Sequence, residues 1–275
     1  MTVLNPKEIH DALIMKRVQE HYKEALQYFS ERQIVGIFLQ GSQNYGLDYE
    51  GSDVDTKLII APSFKEVAMN EKPVSTTHIR ANEEHIDFKD IRLYIDTFRK
   101  QNLNFLEILF TPYAIINPLY ESEWNRLVQD GEKIARMNPR RAIQSMKGIA
   151  LEKYHAMEHP YPSKLDILAK WGYDPKQLHH LLRVEEYLGR YIDGESYANC
   201  LRPHDSEYLK SVKLGCYDLD TARVIAETAK SNVERVADIA REQYEDKEDS
   251  EALVLLKDVQ YNIMKIAIGL EFKED

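Results

Sequence analysis

The chain has 275 residues, 43% of them hydrophobic and 10% aromatic, enough to bury a sizeable core as one large domain or two modest ones. Its 36 basic and 46 acidic residues leave a net charge of -10, which disfavours non-specific adhesion to duplex DNA or anionic lipid. The N-terminal stretch lacks the apolar core of a signal peptide, no later stretch is long enough to cross a bilayer, and Cys200 and Cys216 lack metal-ligand spacing. Together these point to a cytoplasmic protein with ordinary thiols and no membrane partner.

From Lys7 to about Glu31, apolar residues at three- and four-residue steps (Ile9, Leu13, Val18, Tyr22, Leu26, Phe29) predict an amphipathic helix. Ile34 to Leu39 is a short β-favouring run that breaks at Gln40-Gly41-Ser42, as a buried strand delivering a loop does. Further strands are expected at Val54 to Ile60, Val74 to Ile79 and His85 to Phe88, the last two separated by the polar turn Arg80 to Glu83. After Asp90 the periodicity turns helical and stays so, with breaks at Pro112, Pro118, Pro139 and Pro160 to Pro162. The expected fold is α+β: a small mixed sheet flanked by helices over residues 1–118, then a helical bundle over 119–275 packed on it.

Residues 41 to 55 place Gly41-Ser42 after one strand and Asp53-Val54-Asp55 at the start of the next. Side chains two apart on a strand share a face, so Asp53 and Asp55 present two carboxylates while Val54 turns inward. Such a pair repels itself unless a cation intervenes, and oxygen ligands with open positions suit Mg²⁺ or Mn²⁺. Asp87, between Ile86 and Phe88, is the expected third ligand, and three carboxylates on a sheet edge could hold two ions about 4 Å apart. The backbone N–H groups of Gly41 and Ser42, with the Ser42 hydroxyl, can cradle phosphate oxygens.

The ordered set Gly41-Ser42, Tyr45-Gly46 and Ser52-Asp53-Val54-Asp55 is similar to the minimal core of the DNA polymerase β superfamily of nucleotidyltransferases. The Tyr-Gly loop resembles the predicted nucleotidyltransferases of the bacterial and phage YcgL-like group. That group's Asn-x-x-x-Glu-x-Leu-Phe stretch is matched from Asn102 to Phe110, with Leu103 where the usual form has proline, and its His-x-x-Arg by His180 to Arg183. The resemblance spans about residues 34 to 192. It implies a mixed sheet flanked by helices, two Mg²⁺ (or Mn²⁺) ions on Asp53, Asp55 and Asp87, and nucleotide contacts from Gly41, Ser42, Tyr45, Ser52, His180 and Arg183. It also implies transfer of a nucleoside monophosphate from a nucleoside triphosphate.

Asp174-Pro175-Lys176 has the form of a helix start, with Asp174 as N-cap and proline at the first position. Lys176, His180 and Arg183 then share one face that could neutralise a triphosphate, while Leu178, Leu181, Leu182 and Val184 pack inward and His179 is a partly exposed neighbour. A second basic set, Arg136, Arg140, Arg141, Lys147 and Lys153, reads as a solvated stripe or a surface for an RNA backbone. The leading expectation is a metal-dependent transferase acting on a hydroxyl of a small molecule, an RNA 3′ end or a protein. The alternatives are a catalytically retired nucleotide-binding regulatory or antitoxin-like module and, less favoured, a phosphohydrolase.

Overall fold

The computed structural model describes residues 6–49 and 51–274, so the first five residues of the N-terminal stretch lie outside it. The fold is α+β. Five strands, β1 (Ile34–Gln40), β2 (Asp55–Ile60), β3 (Ser75–Ile79), β4 (His85–Asp90) and β5 (Ala114–Ile116), form a mixed sheet in the order β3-β4-β2-β1-β5. β1 is antiparallel to β2 and β5, β2 runs parallel to β4, and β3 and β4 form an antiparallel pair. The helices are α1 (Pro6–Ala25), α2 (Phe64–Ala68), α3 (Ile91–Arg99), α4 (Leu103–Leu106), α5 (Glu121–Gln129), α6 (Gly131–Ala135) and α7 (Pro139–Ala156). They continue with α8 (Leu165–Trp171), α9 (Pro175–Ile192), α10 (Tyr197–Leu201), α11 (Ser206–Lys213), α12 (Leu219–Gln243) and α13 (Ser250–Glu274).

The sheet is covered on both faces, which explains why β1 is apolar throughout and not alternating. Ile37, Leu39, Leu58, Ile60, Ile86 and Phe88 turn toward Ile14 and Val18 of α1. Val35, Phe38 and Ile59 belong to a larger core that continues through Trp124, Ile143, Leu181 and Val233 to Ala267. The sheet half and the helical half expected to divide at residue 118 thus share one interior. The last helix reinforces this: α13 packs on α3 and α5, and Glu271 accepts hydrogen bonds from the Phe64 N–H at 2.9 Å and from Arg32 at 3.4 Å.

Strand alternation decides which side chains reach the helical half. Leu58, Ile60, Ile86 and Phe88 point to α1, so Asp55, Lys57, Asp87 and Lys89 point the other way, toward α4, α7 and α9.

Two elements differ from the sequence expectation. The first helix ends at Ala25, six residues short, and gives way to a turn and one 3-10 turn at Glu31–Gln33 before β1. Helical periodicity after Asp90 is interrupted by β5, a three-residue edge strand too short for alternation to show in sequence. Its place is fixed by pairing with Gly36 to Phe38. Both cysteines are free, Cys200 buried and Cys216 exposed. No helix among the described residues is long and apolar enough to cross a membrane.

Candidate nucleotide-binding site

β1 ends at Gln40, and the chain turns through Gly41 at φ +96°, a conformation open to glycine and strained for any residue with a Cβ. A 3-10 turn over Ser42–Tyr45 follows and ends at Gly46, which is left-handed at φ +70°. Asn44 ties the turn back by donating to the Leu39 carbonyl at 2.9 Å and accepting from Thr111 at 2.6 Å. The Ser42 hydroxyl makes no hydrogen bond to a described residue and lines a cavity of about 250 Å³ with Gly41, Asp53, Asp55, Lys176, His180 and Arg183.

Asp53 and Asp55 stand at the mouth of β2. Asp53 is exposed, whereas Asp55 is partly enclosed and accepts a hydrogen bond from the His85 N–H at 2.8 Å. Val54 between them is buried, as alternation requires. Its N–H donates at 2.8 Å to Glu84, a fully buried carboxylate. Glu84 is also reached by Arg17, by Arg80 at 2.9 Å, by Asn82 at 2.7 Å and by His21 at 3.0 Å. His21 in turn meets the Thr56 hydroxyl at 2.9 Å. Burial, with Arg80 and Arg17 nearby, pushes the His21 imidazole down to about 4, so it is neutral within this network. The Asp53–Asp55 segment is therefore held from behind by a charge cluster under α1.

The opposite wall is α9. Asp174 caps it, accepting from the Lys176 N–H at 2.9 Å, and Pro175 takes the first position, as expected. Lys176, His180 and Arg183 all line the cavity, while Leu178, Leu181 and Val184 are buried behind them. The Arg183 guanidinium lies 3.5 Å over the Tyr45 ring, and its Nε and Nη2 are buried without a hydrogen-bond partner. Burial pulls Arg183 below its usual range and lowers His180 well below the usual imidazole range, His179 and Arg183 adding to the latter. His179 is not the partly exposed neighbour expected. It is buried, and its Nδ1 faces the Leu209 carbonyl at 2.8 Å, tying α9 to α11.

Tyr45 and Ser52 line the cavity but also carry structural duties. The Tyr45 ring is a buried platform for Arg183, and the Ser52 hydroxyl accepts from the Tyr49 N–H at 2.9 Å to close the turn before Asp53.

Asp87 is on the expected strand and the expected face but does not join the other two acids. Register sets it opposite Lys57 of β2 and Thr77 of β3. Its carboxylate accepts from the Thr77 hydroxyl at 2.6 Å and lies 3.7 Å from the Lys57 ammonium. Lys57 is 3% exposed, donates to the Gln40 side chain and sits 4.5 Å over the Phe105 ring. Burial lowers it to about 8, while Asp87 and Asp55 oppose the shift. Among the described residues no group of three or more acidic, histidine or cysteine side chains is gathered as a metal cage. The expected arrangement of two ions on three carboxylates therefore does not fit, because an ammonium stands beside Asp87 and in the field of Asp55. A single divalent ion on Asp53 and Asp55 does fit the donor set, since Asp53 is solvated and Asp55 keeps its second oxygen.

A second chamber of about 340 Å³ adjoins the first, sharing Gly41, Asp55, His180 and Arg183 and adding Lys57, Asn104, Phe105, Glu107 and Lys153. Contributors that the sequence left unassigned include Gln40, Gln43, Lys57, Glu107 and Lys213. Lys57 was accessible in principle, two residues beyond Asp55 on the same strand face. Glu107 is the acid of the Asn102–Phe110 stretch, buried in an apolar run. The Asn102 side chain caps α4, accepting from the Asn104 N–H at 3.0 Å, and Leu103 takes the first helical position, where a proline is equally accommodated. Lys213 arrives from α11, and no local pattern marks it.

The second basic set is mostly taken up by ion pairs and hydrogen bonds within the helical half. Arg136 pairs locally with Glu132 and donates to the Tyr191 carbonyl of α9 at 3.0 Å, Arg141 ties α7 to Asp246 and Glu248 in the segment between α12 and α13, and Lys147 pairs with Asp238 of α12. Arg140 reaches the Tyr244 carbonyl at 3.5 Å, and Lys153 alone of the set turns toward the site.

No protein-family profile and no curated protein matches the sequence. Among solved structures, a nucleotidyltransferase-like protein from Exiguobacterium sibiricum 255-15 is similar over 95% of this chain and 92% of its own, at 11% identity and a TM-score of 0.32. A likeness so distant assigns no residue, and the site stands on its own geometry.

Proposed function

We propose that the protein is a divalent-cation-dependent nucleotidyltransferase. It binds a nucleoside triphosphate between the sheet edge and α9 and transfers the nucleoside monophosphate to an acceptor hydroxyl. The observation that supports this best is the first chamber itself, where the acids Asp53 and Asp55 face Lys176, Arg183 and Lys213 across the Gly41-Ser42 turn. A chamber with acids on one side and, on the other, cationic groups that make no hydrogen bond or ion pair to a described residue suits a polyphosphate that arrives with its own divalent ion.

In this reading the Gly41 and Ser42 groups and the cationic face hold phosphate oxygens, and neutral His180 adds a hydrogen bond. Asp53 and Asp55 would hold Mg²⁺ or Mn²⁺, which when bound polarises the phosphate oxygens and neutralises developing charge. The acceptor oxygen forms a bond to the α-phosphorus, the bond from the α-phosphorus to the oxygen bridging it to the β-phosphate breaks, pyrophosphate leaves, and the hydroxyl gives up its proton to water. The second chamber, which meets the first at Asp55, is where the acceptor would approach.

Titration with each triphosphate and Mg²⁺, followed by pyrophosphate release, tests the proposal. Asp55→Asn should reduce turnover by roughly two orders of magnitude or more. Its melting temperature in EDTA should equal that of wild type, because asparagine can still accept from the His85 N–H. Wild-type turnover in that variant would remove Asp55 from the chemistry. A nucleotide-binding regulatory module without transfer is a second reading, favoured by the engagement of Asp87 with Lys57 and Thr77. Transfer of a nucleoside monophosphate to any acceptor, with release of pyrophosphate, excludes it.

A further inference from the structure

We propose that the Lys57 ammonium takes the place of a second metal ion, so that the site works with one exchangeable divalent ion, and that Asp87 is a positioning residue for Lys57. The inference rests on the nucleotidyltransferase reading and deepens it. Asp55 and Asp87 project from adjacent parallel strands on one sheet face, and Lys57 lies on the same face, two residues beyond Asp55 and in register with Asp87. Carboxylates so placed repel one another unless a cation stands among them, and here the chain provides its own.

The ammonium is fixed on several sides. Gln40 accepts from it, Asp87 lies 3.7 Å away, and the Phe105 face is 4.5 Å away. At 3% exposure Lys57 has little solvent to retreat into. Asp87 is itself pinned by the Thr77 hydroxyl at 2.6 Å. A divalent ion entering beside Asp87 would meet like charge in a poorly solvated place, which makes displacement of the ammonium unfavourable. Asp53 and Asp55 both line the first chamber, and the Asp55 oxygen not bonded to the His85 N–H remains open to the ion that accompanies the triphosphate. Lys57 lines the second chamber, so its charge faces the side from which an acceptor oxygen would come.

The test counts Mn²⁺ bound to the full chain in the presence of a non-hydrolysable α,β-methylene nucleoside triphosphate, by electron paramagnetic resonance of free Mn²⁺. Wild type should take up one ion per chain, and Asp87→Asn should also take up one, with affinity within a few-fold. Lys57→Ala, which vacates the ammonium's place beside Asp87 and in the field of Asp55, should take up a second. Two ions in wild type, an ion lost in Asp87→Asn, or a single ion in Lys57→Ala would each overturn the inference. Wild type and Asp87→Asn decide it even where the alanine variant does not fold. Failure of the wild type to bind the nucleotide at all would instead overturn the reading on which the inference rests, and calorimetry on the same preparation distinguishes the two failures.

Discussion

On the sheet side of the first chamber the acids are satisfied before any ligand arrives: Asp55 takes a backbone N–H, and Asp53 stands in solvent. On the helix side the situation is reversed. Arg183 has two buried nitrogens without partners, and burial holds both His180 and Lys213 below their usual ranges. Desolvated donors without acceptors are costly, and that cost falls when phosphate oxygens enter. One wall is thus built for stability and the other for a ligand, so substitutions in the two should separate melting temperature from affinity.

The largest effect is expected behind the sheet wall. Glu84 is fully buried and joins Arg17, Arg80, His21 and Asn82 to the Val54 N–H. Removing one partner of a buried charge cluster costs ~3–5 kcal/mol. Glu84→Ala belongs near the lower end, because Arg80 keeps Glu24 at 2.7 Å and the Arg17 side chain is 37% exposed. At roughly 2–4 °C per kcal/mol for a chain of this size, the melting temperature should fall by roughly 6–12 °C. Thermal denaturation without nucleotide checks it, and a melting point unchanged from wild type would show that the cluster does not secure this wall.

A smaller effect of the opposite kind is expected on the helix wall. Arg183→Met keeps much of the volume over Tyr45 and removes two unpartnered buried nitrogens, while losing a cation–π contact worth about 1–2 kcal/mol. The losses and gains in stability nearly offset, so the melting temperature should stay close to wild type. Nucleotide affinity should weaken by about 1.5–3 kcal/mol, or roughly 10- to 150-fold in Kd, the worth of hydrogen bonds to a charged group. Calorimetric titration with an unchanged Kd would break the contrast between the walls.

The two walls also differ in how much of them the sequence discloses. Gly41, Ser42, Asp53 and Asp55 lie within fifteen consecutive residues, and strand alternation orients the acids without tertiary information. The trio on α9 was legible for a similar reason, through a capped helix start and a helical repeat. Asp87 shows the limit: its strand and face could be read, but its partner depends on register with β2, which put Lys57 opposite it. Glu107 meets the site through packing of its 3-10 turn against β1, and Lys213 through packing of α11 against α9. β5 escaped because three residues carry no period, and His179 because a buried imidazole bonded to a distant carbonyl looks, in sequence, like any polar neighbour.

Glu107 connects the walls, since it lines the second chamber together with Gly41 and Arg183, and it gives the smallest but most diagnostic effect. Burial raises it to about 8, although Arg183 and the Gly41 N–H both lower it. Because the folded value lies above the ordinary 4.5, its contribution to stability is fully present below 4.5 and is lost as the pH rises through 8. His21 and His179 act in the other sense: burial lowers each from 6.5 to about 4, so their contribution is present above 6.5 and lost as the pH falls. Between 4.5 and 6.5 these trends oppose, whereas between 6.5 and 8 the Glu107 trend stands clear of both histidines. Wild type should therefore lose stability over that upper interval, and Glu107→Gln, which carries no titrating proton, should show a flatter profile. Nucleotide affinity should follow, because ionised Glu107 puts negative charge beside Arg183 and the Gly41 turn where phosphate would sit. Denaturant titrations and nucleotide binding at several pH values on both proteins measure the two effects. Parallel slopes in wild type and variant would show that Glu107 carries no excess proton in the fold, and that the junction of the two walls is an ion pair with Arg183.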